Sequence, residues 1–215
     1  MLKSNHSDST SNWEFQKVGR ILPTKTPLYH QGDEYDLIYR VNSGTVMIFR
    51  LLEDSSRQIT GFCSAGEFFG LSPDQTYHET AITVGTSSIS AFSMADISAC
   101  ADLQAELLSQ ACSRLEDAQN MMMTLTKKSA AEKIAMFLLT LAKRQSRLSD
   151  AEQTPIQINL PMSRLDIADY LGLTIETVSR RLSDLKSKGI IELPSRTTAR
   201  ICQVGKIEQL AGALH

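Results

Sequence analysis

Glu176, Ser179 and Arg180 carry the plainest chemistry in this sequence. Their spacing sets them together on one face of a helix, within its first two turns. Arg180 can donate a forked hydrogen bond to guanine O6 and N7, and Glu176 can accept from a cytosine amino group. Ser179 is small enough for close approach, and Ile175 completes the outward set. Thr174 and Thr177 can bond phosphate oxygens, as can Ser163, Arg164 and Arg181 close by. Glu176 and Arg180, four residues apart, can also pair with each other for a few tenths of a kcal/mol, which would pre-position the arginine.

Base reading needs such a helix to be held at a fixed angle, and the flanking residues supply the means. Ser163 can cap a first helix with Leu165, Ile167, Ala168 and Leu171 as its apolar positions. Gly172 can end it, because a left-handed residue is cheap only for glycine. Thr174 can cap the second helix, on which Val178, Leu182 and Leu185 recur on one side. Ala168, Gly172 and Val178 stand at positions 5, 9 and 15 counted from Arg164, the order of a helix-turn-helix. A plain helical hairpin shares that apolar pattern. The outward Glu176, Ser179 and Arg180 favour DNA.

The stretch YLGLTIETVSRRL, with its E-x-x-S-R core from Glu176 to Arg180, resembles the Crp/Fnr family of bacterial transcription regulators, more narrowly its Fnr/FixK branch. The similarity runs from about Ile21 to Gly212. It implies an α+β chain with an N-terminal double-stranded β-roll like that of cyclic-nucleotide-binding domains. A long dimerisation helix and a C-terminal winged helix-turn-helix follow in that scheme. It also implies a homodimer on double-stranded DNA that recruits RNA polymerase, a site like TTGAT…ATCAA read by Glu176, Ser179 and Arg180, and genes of low-oxygen or nitrogen-oxide metabolism. Cyclic-AMP-binding relatives carry an arginine where Ile175 stands, which points away from their operator.

The totals agree with a DNA-binding chain of one or two domains. Of 215 residues, 42% are hydrophobic and 21% charged, as in an ordinary globular protein. From Lys127 onward there are 14 Lys and Arg against 9 Asp and Glu, whereas residues 1–126 hold 8 against 15. The basic half is the one expected to meet nucleic acid. No apolar run is long enough to span a membrane, and the first residues have no signal-peptide core, so a cytoplasmic location is expected. Cys63, Cys100, Cys112 and Cys202 are widely separated and read as reduced thiols. His6, His30, His78 and His215 form no metal-binding spacing, and no nucleophile–base set suggests an enzyme.

In order, residues 1–20 read as a polar arm followed by a short helix from Trp13 to Arg20. Residues 21–95 read as the β-roll, with strands Leu37 to Val41, Thr45 to Leu51, Gln58 to Cys63 and Ile82 to Val84 between turns. Residues 96–126 form the dimerisation helix. Leu108, Ala111, Leu115, Ala118, Met122 and Leu125 alternate at spacings of 3 and 4 along it, as a two-helix seam requires. Residues 127–215 form the winged helix-turn-helix domain, opening with a helix capped by Ser129 and Glu132. Lys143, Arg144 and Arg147 near the end of that helix suit either its dipole or the DNA field. A polar loop from Ser149 to Pro155 leads to the strand Ile156 to Leu160. Strands Ile190 to Leu193 and Arg200 to Val204 make the wing, whose tip offers Arg196 to phosphates.

Departures from the family pattern suggest how the protein is controlled. Nucleotide-binding relatives place a glutamate for the ribose where this chain has Leu71, and Arg-Ser for the cyclic phosphate where it has Glu79-Thr80. A carboxylate there repels phosphate and, if buried, is left unpaired. Oxygen sensors of the family hold an iron–sulfur cluster on N-terminal cysteines, and no cysteine precedes Cys63. They also place an acid at the seam position of Ala118, although Asp117 lies beside it here. The expectation is a regulator, an activator by resemblance, that dimerises and binds DNA without cofactor or metal. The alternative is a sensor gated by haem, a small acid or cysteine oxidation in the same scaffold, with Cys202 on the wing and Cys112 beside the seam as its thiols.

Overall fold

The computed structural model describes residues 19–146 and 155–212. The expected arm over residues 1–12, the expected helix over residues 13–18, Arg147 and the expected loop as far as residue 154 lie outside them. Arg20 opens a strand, so the helix expected from Trp13 does not reach it.

The first half is built from strands β1 (Arg20–Leu22), β2 (Pro27–Tyr29), β3 (Leu37–Ser43), β4 (Thr45–Leu51), β5 (Arg57–Ser64), β6 (Phe68–Phe69), β7 (Thr80–Thr83) and β8 (Ser87–Ser93). They form two antiparallel sheets, in the orders β1-β8-β3-β6 and β2-β7-β4-β5. Strand β8, SSISAFS, carries little apolar alternation, yet Ser87 and Ser90 are buried. Hydrogen bonds offset the cost of burying those hydroxyls: Ser87 Oγ accepts from Thr45 N at 3.1 Å, and Ser90 Oγ accepts from Asn42 Nδ2 at 2.9 Å. Gly44 closes the β3–β4 turn at φ +90°, where a Cβ would lie 2.3 Å from Ser87 Oγ.

The expected dimerisation helix is two helices. Helix α1 (Met94–Ala99), capped by the reciprocal Ser93–Asp96 box, stops at an extended Cys100, and α2 (Ala101–Lys127) then runs unbroken. Helix α3 (Ala130–Ser146) begins after Ser129, which exchanges bonds with Glu132. Strand β9 (Ile156–Asn159), helices α4 (Arg164–Leu171) and α5 (Ile175–Ser187), strands β10 (Ile191–Glu192) and β11 (Thr198–Ile201), and helix α6 (Val204–Ala211) complete the second half, with sheet order β10-β11-β9. The wing's return strand therefore starts and ends earlier than expected, because Val204 opens α6.

One apolar cluster joins the two halves. Met47, Ile59 and Phe62 of the roll pack with Leu138, Ile167 and Val178 of the second half. Phe62, Phe137 and Tyr170 meet pairwise there, with ring centroids 5.4–6.3 Å apart.

Candidate nucleic-acid interface

Helix α4 is set by a capping box at its start and a glycine at its end. Ser163 Oγ accepts from Asp166 N at 3.1 Å, while Asp166 Oδ2 accepts from Ser163 N at 2.9 Å. Gly172 adopts φ 61°, ψ 46°, and the chain turns directly into α5. There Thr174 Oγ1 accepts from Thr177 N at 3.2 Å, so that hydroxyl caps the helix whose phosphate contacts it was expected to share. Burial of Val178, Leu182 and Leu185 fixes the rotation of α5 about its axis. Ile175, Glu176, Ser179 and Arg180 are exposed as a result. Among the described residues no ion pair ties Glu176 to Arg180, which leaves both side chains free for a ligand.

Leu165 departs from its expected place in the core of this motif. It is 51% exposed, since two residues before the buried Ile167 is nearly the opposite side of a helix. Arg164 is half-buried, its Nη1 has no hydrogen-bond partner among the described residues, and desolvation lowers its pKa. A phosphate oxygen would satisfy that atom. Arg181 is more committed, with Nη1 3.0 Å from Asp184 Oδ2 in its own helix. On the wing Arg196 is exposed and Arg200 lies 3.7 Å from Glu192.

The seam residues and the roll interior have opposite surroundings. Leu108, Leu115 and Met122 are 67%, 63% and 67% exposed, Ala118 and Leu125 are exposed, and Ala111 is half-buried. The opposite side of α2 rests on the roll through Leu103, Leu107 and Gln110, whose Nε2 donates to Gly66 O at 2.9 Å. Inside the roll Tyr29 stacks on Tyr77 at 3.9 Å between centroids, and Phe69 packs with Tyr39 at 5.4 Å. Aromatic side chains thus fill the interior. Glu79, at the position of the cyclic-phosphate arginine, is half-buried beside β7, and Arg50 of β4 reaches it at 3.6 Å. Thr80 Oγ1 accepts from Gln31 N at 3.0 Å. Burial pushes the Cys63 thiol up, against the pull of Arg114, whose Nη2 lies 2.6 Å from the sulfur.

Sequence reasoning missed the contacts between the halves. Arg57 Nη2 lies 2.8 Å from Asp166 and 2.6 Å from Asp169, both on α4. Arg144 stands in the last turn of α3, where a cation suits the dipole, but it does not face outward as a DNA contact would: it turns inward to Asp117 at 2.7 Å and Glu67 at 3.7 Å, and donates to Phe62 O at 3.0 Å. Residues so distant along the chain give no local signal of such pairing.

Residues 20–102 match the cyclic nucleotide-binding domain, and residues 132–210 match the Crp-like helix-turn-helix domain. The chain is 36% identical over 194 residues to the nitrogen fixation regulation protein FixK of Rhizobium meliloti (strain 1021), a match covering 89% of this chain and 87% of that relative. The chain belongs to the Crp/Fnr family, in its FixK-like branch. This FixK-like regulator is also 32% identical over 219 residues to the transcriptional activator protein FnrA of Stutzerimonas stutzeri, covering 99% and 88% of the two chains. The structure of FixK2 from Bradyrhizobium japonicum superposes with a TM-score of 0.79 at 28% identity, over 92% of this chain and 100% of that one. A transcriptional regulator of the CRP family from Thermus thermophilus, at 22% identity and a TM-score of 0.72, shares the fold over 90% of this chain and 96% of its own. The protein is a DNA-binding transcription regulator, not an enzyme. Among the described residues no helix is long and apolar enough to cross a membrane.

Proposed function

We propose that this FixK-like regulator acts as a homodimeric activator on a two-fold TTGAT…ATCAA-like site, without cyclic nucleotide, metal cluster or other cofactor. Glu176, Ser179 and Arg180 read bases with Ile175 beside them, and Ser163, Arg164, Thr174, Thr177, Arg181 and Arg196 contact phosphates. The observation that carries this reading is the exposed, unpaired set Glu176, Ser179 and Arg180 on a helix fixed by its cap and its buried face. Leu108, Ala111, Leu115, Ala118, Met122 and Leu125 form the seam between two copies, for which the exposure of all but Ala111 speaks. The working units are an arm over 1–20, a β-roll over 21–95, a dimerisation helix over 96–126 and a DNA-binding domain over 127–215. Recruitment of RNA polymerase, a cytoplasmic site of action and control of low-oxygen or nitrogen-oxide genes complete the reading.

The aromatic filling of the roll supports independence from nucleotide. A second reading, an effector-gated sensor, draws on a cleft of about 260 Å³ between the roll and α2, walled by Thr60, Glu79, Arg114 and Ala118. A gel shift of the metal-free, ligand-free protein on the TTGAT…ATCAA duplex, in air at fixed salt, separates the two. Specific binding as a dimer is expected. A monomer that binds only after a small molecule is added would favour the gated sensor instead.

A further inference from the structure

We infer that Arg144 is the positioning residue that holds the DNA-binding half in register with the dimerisation helix, a bridging task that a bound effector would otherwise perform. It projects from α3, whose Ile134, Leu138 and Leu141 are embedded in the core of the winged-helix half. Its three partners lie on three other pieces of the chain. Asp117 Oδ2, 2.7 Å from Nη2, belongs to α2; Glu67 Oε1, 3.7 Å from Nε, belongs to the turn before β6; and Phe62 O, 3.0 Å from Nη1, belongs to β5. All three nitrogens of the guanidinium are therefore directed, each to a different element. A planar five-donor fork can do this, whereas a lysine ammonium cannot match the geometry. Arg144 also lines the cleft between the roll and α2, so it occupies the junction through which a ligand would have to couple them.

Asp117 precedes the seam residue Ala118 but lies on the side of α2 that faces the roll, so its contact with Arg144 fixes the seam helix from behind while the seam face stays exposed. Arg57 fastens the same two halves through α4, whereas Arg144 also reaches the seam helix.

This inference rests on ligand-free binding to a two-fold site, and the test separates the two. The full chain and its Arg144→Gln, Arg144→Lys and Asp117→Asn variants are titrated onto the two-fold duplex and onto a duplex holding one half-site. Sedimentation gives the oligomeric state and circular dichroism the helix content. A dimer with two fixed reading heads favours the two-fold duplex by about a hundredfold or more. Arg144→Gln is expected to stay folded and to keep half-site affinity, while that preference falls about tenfold. Arg144→Lys should recover part of it, and Asp117→Asn should lower it to a smaller degree. An unchanged preference in both Arg144→Gln and Asp117→Asn overturns the inference. So does an equal loss on both duplexes with no recovery in Arg144→Lys, which marks a merely structural residue. If the unaltered protein prefers neither duplex without ligand, the reading beneath the inference fails first and takes the inference with it.

Discussion

Arg180 is the residue on which sequence selectivity should turn. Its neighbours Val178 and Leu182 are buried and aim it outward, and among the described residues no carboxylate holds it. A bidentate contact to guanine contributes about 1–3 kcal/mol of discrimination. Arg180→Ala should therefore weaken the two-fold site by about tenfold to a hundredfold per half-site, with little change on unrelated duplex. Arg196→Ala should weaken both alike, since a phosphate contact carries no sequence information. Fluorescence anisotropy at one salt concentration measures both, and equal losses on both duplexes for Arg180→Ala would refute the base-reading role. Such residues are legible because their neighbours in sequence decide their direction. Arg57 and Asp166, 109 residues apart, are not, because only the folded chain brings them together.

Elements were legible where local rules act alone. Strand β4 spans Thr45 to Leu51 as its β-branched and apolar residues suggest, and α4 runs from its Ser163 cap to Gly172 as the cap and the glycine dictate. Gly172 gives a direct check. A Cβ there would meet only Leu125 Cδ2, at 3.9 Å, so the backbone at φ 61° is the sole obstacle. Gly172→Ala should cost about 1–2 kcal/mol and lower Tm by a few degrees, as denaturation would show. An unchanged Tm would mean that the turn relaxes without strain. Strand β8 is not among the strands expected, for a different reason: its buried Ser87 and Ser90 give no apolar signal, and only their hydrogen-bond partners account for them. The break at Cys100 was hidden too, because apolar periodicity continues across it.

At the scale of the molecule the sequence foretells the parts better than their assembly. The helix-turn-helix, the roll and the long helix each leave a pattern within a window of residues. The shared cluster of Met47, Ile59 and Phe62 with Leu138, Ile167 and Val178 leaves none, because each half alone reads as a complete amphipathic unit. The inward turn of Arg144 belongs to the same class. A basic residue near a helix end is legible as a charge, and its three distant acceptors are not. Buried contacts of this kind make the arrangement of the halves a property of the whole chain.

The aromatic filling of the roll also governs how the molecule meets alkali. Tyr29, Tyr35, Tyr39 and Tyr77 stand in the roll and Tyr170 at the junction, and these are all five tyrosines of the chain. Burial raises every one of these phenols above its ordinary value, Tyr170 to about 12. A raised folded-state pKa stabilises the fold fully below the unfolded value of about 10 and loses that contribution as pH climbs through the folded values. Most of the phenolate absorbance should therefore appear above pH 10, that of Tyr29, Tyr39 and Tyr170 together with the loss of circular dichroism. A gradual rise centred near pH 10 in a protein still folded would contradict the burial of these rings. Deprotonation of the deepest phenols and unfolding of the roll should thus coincide, so that its tyrosines serve as its own indicator dye.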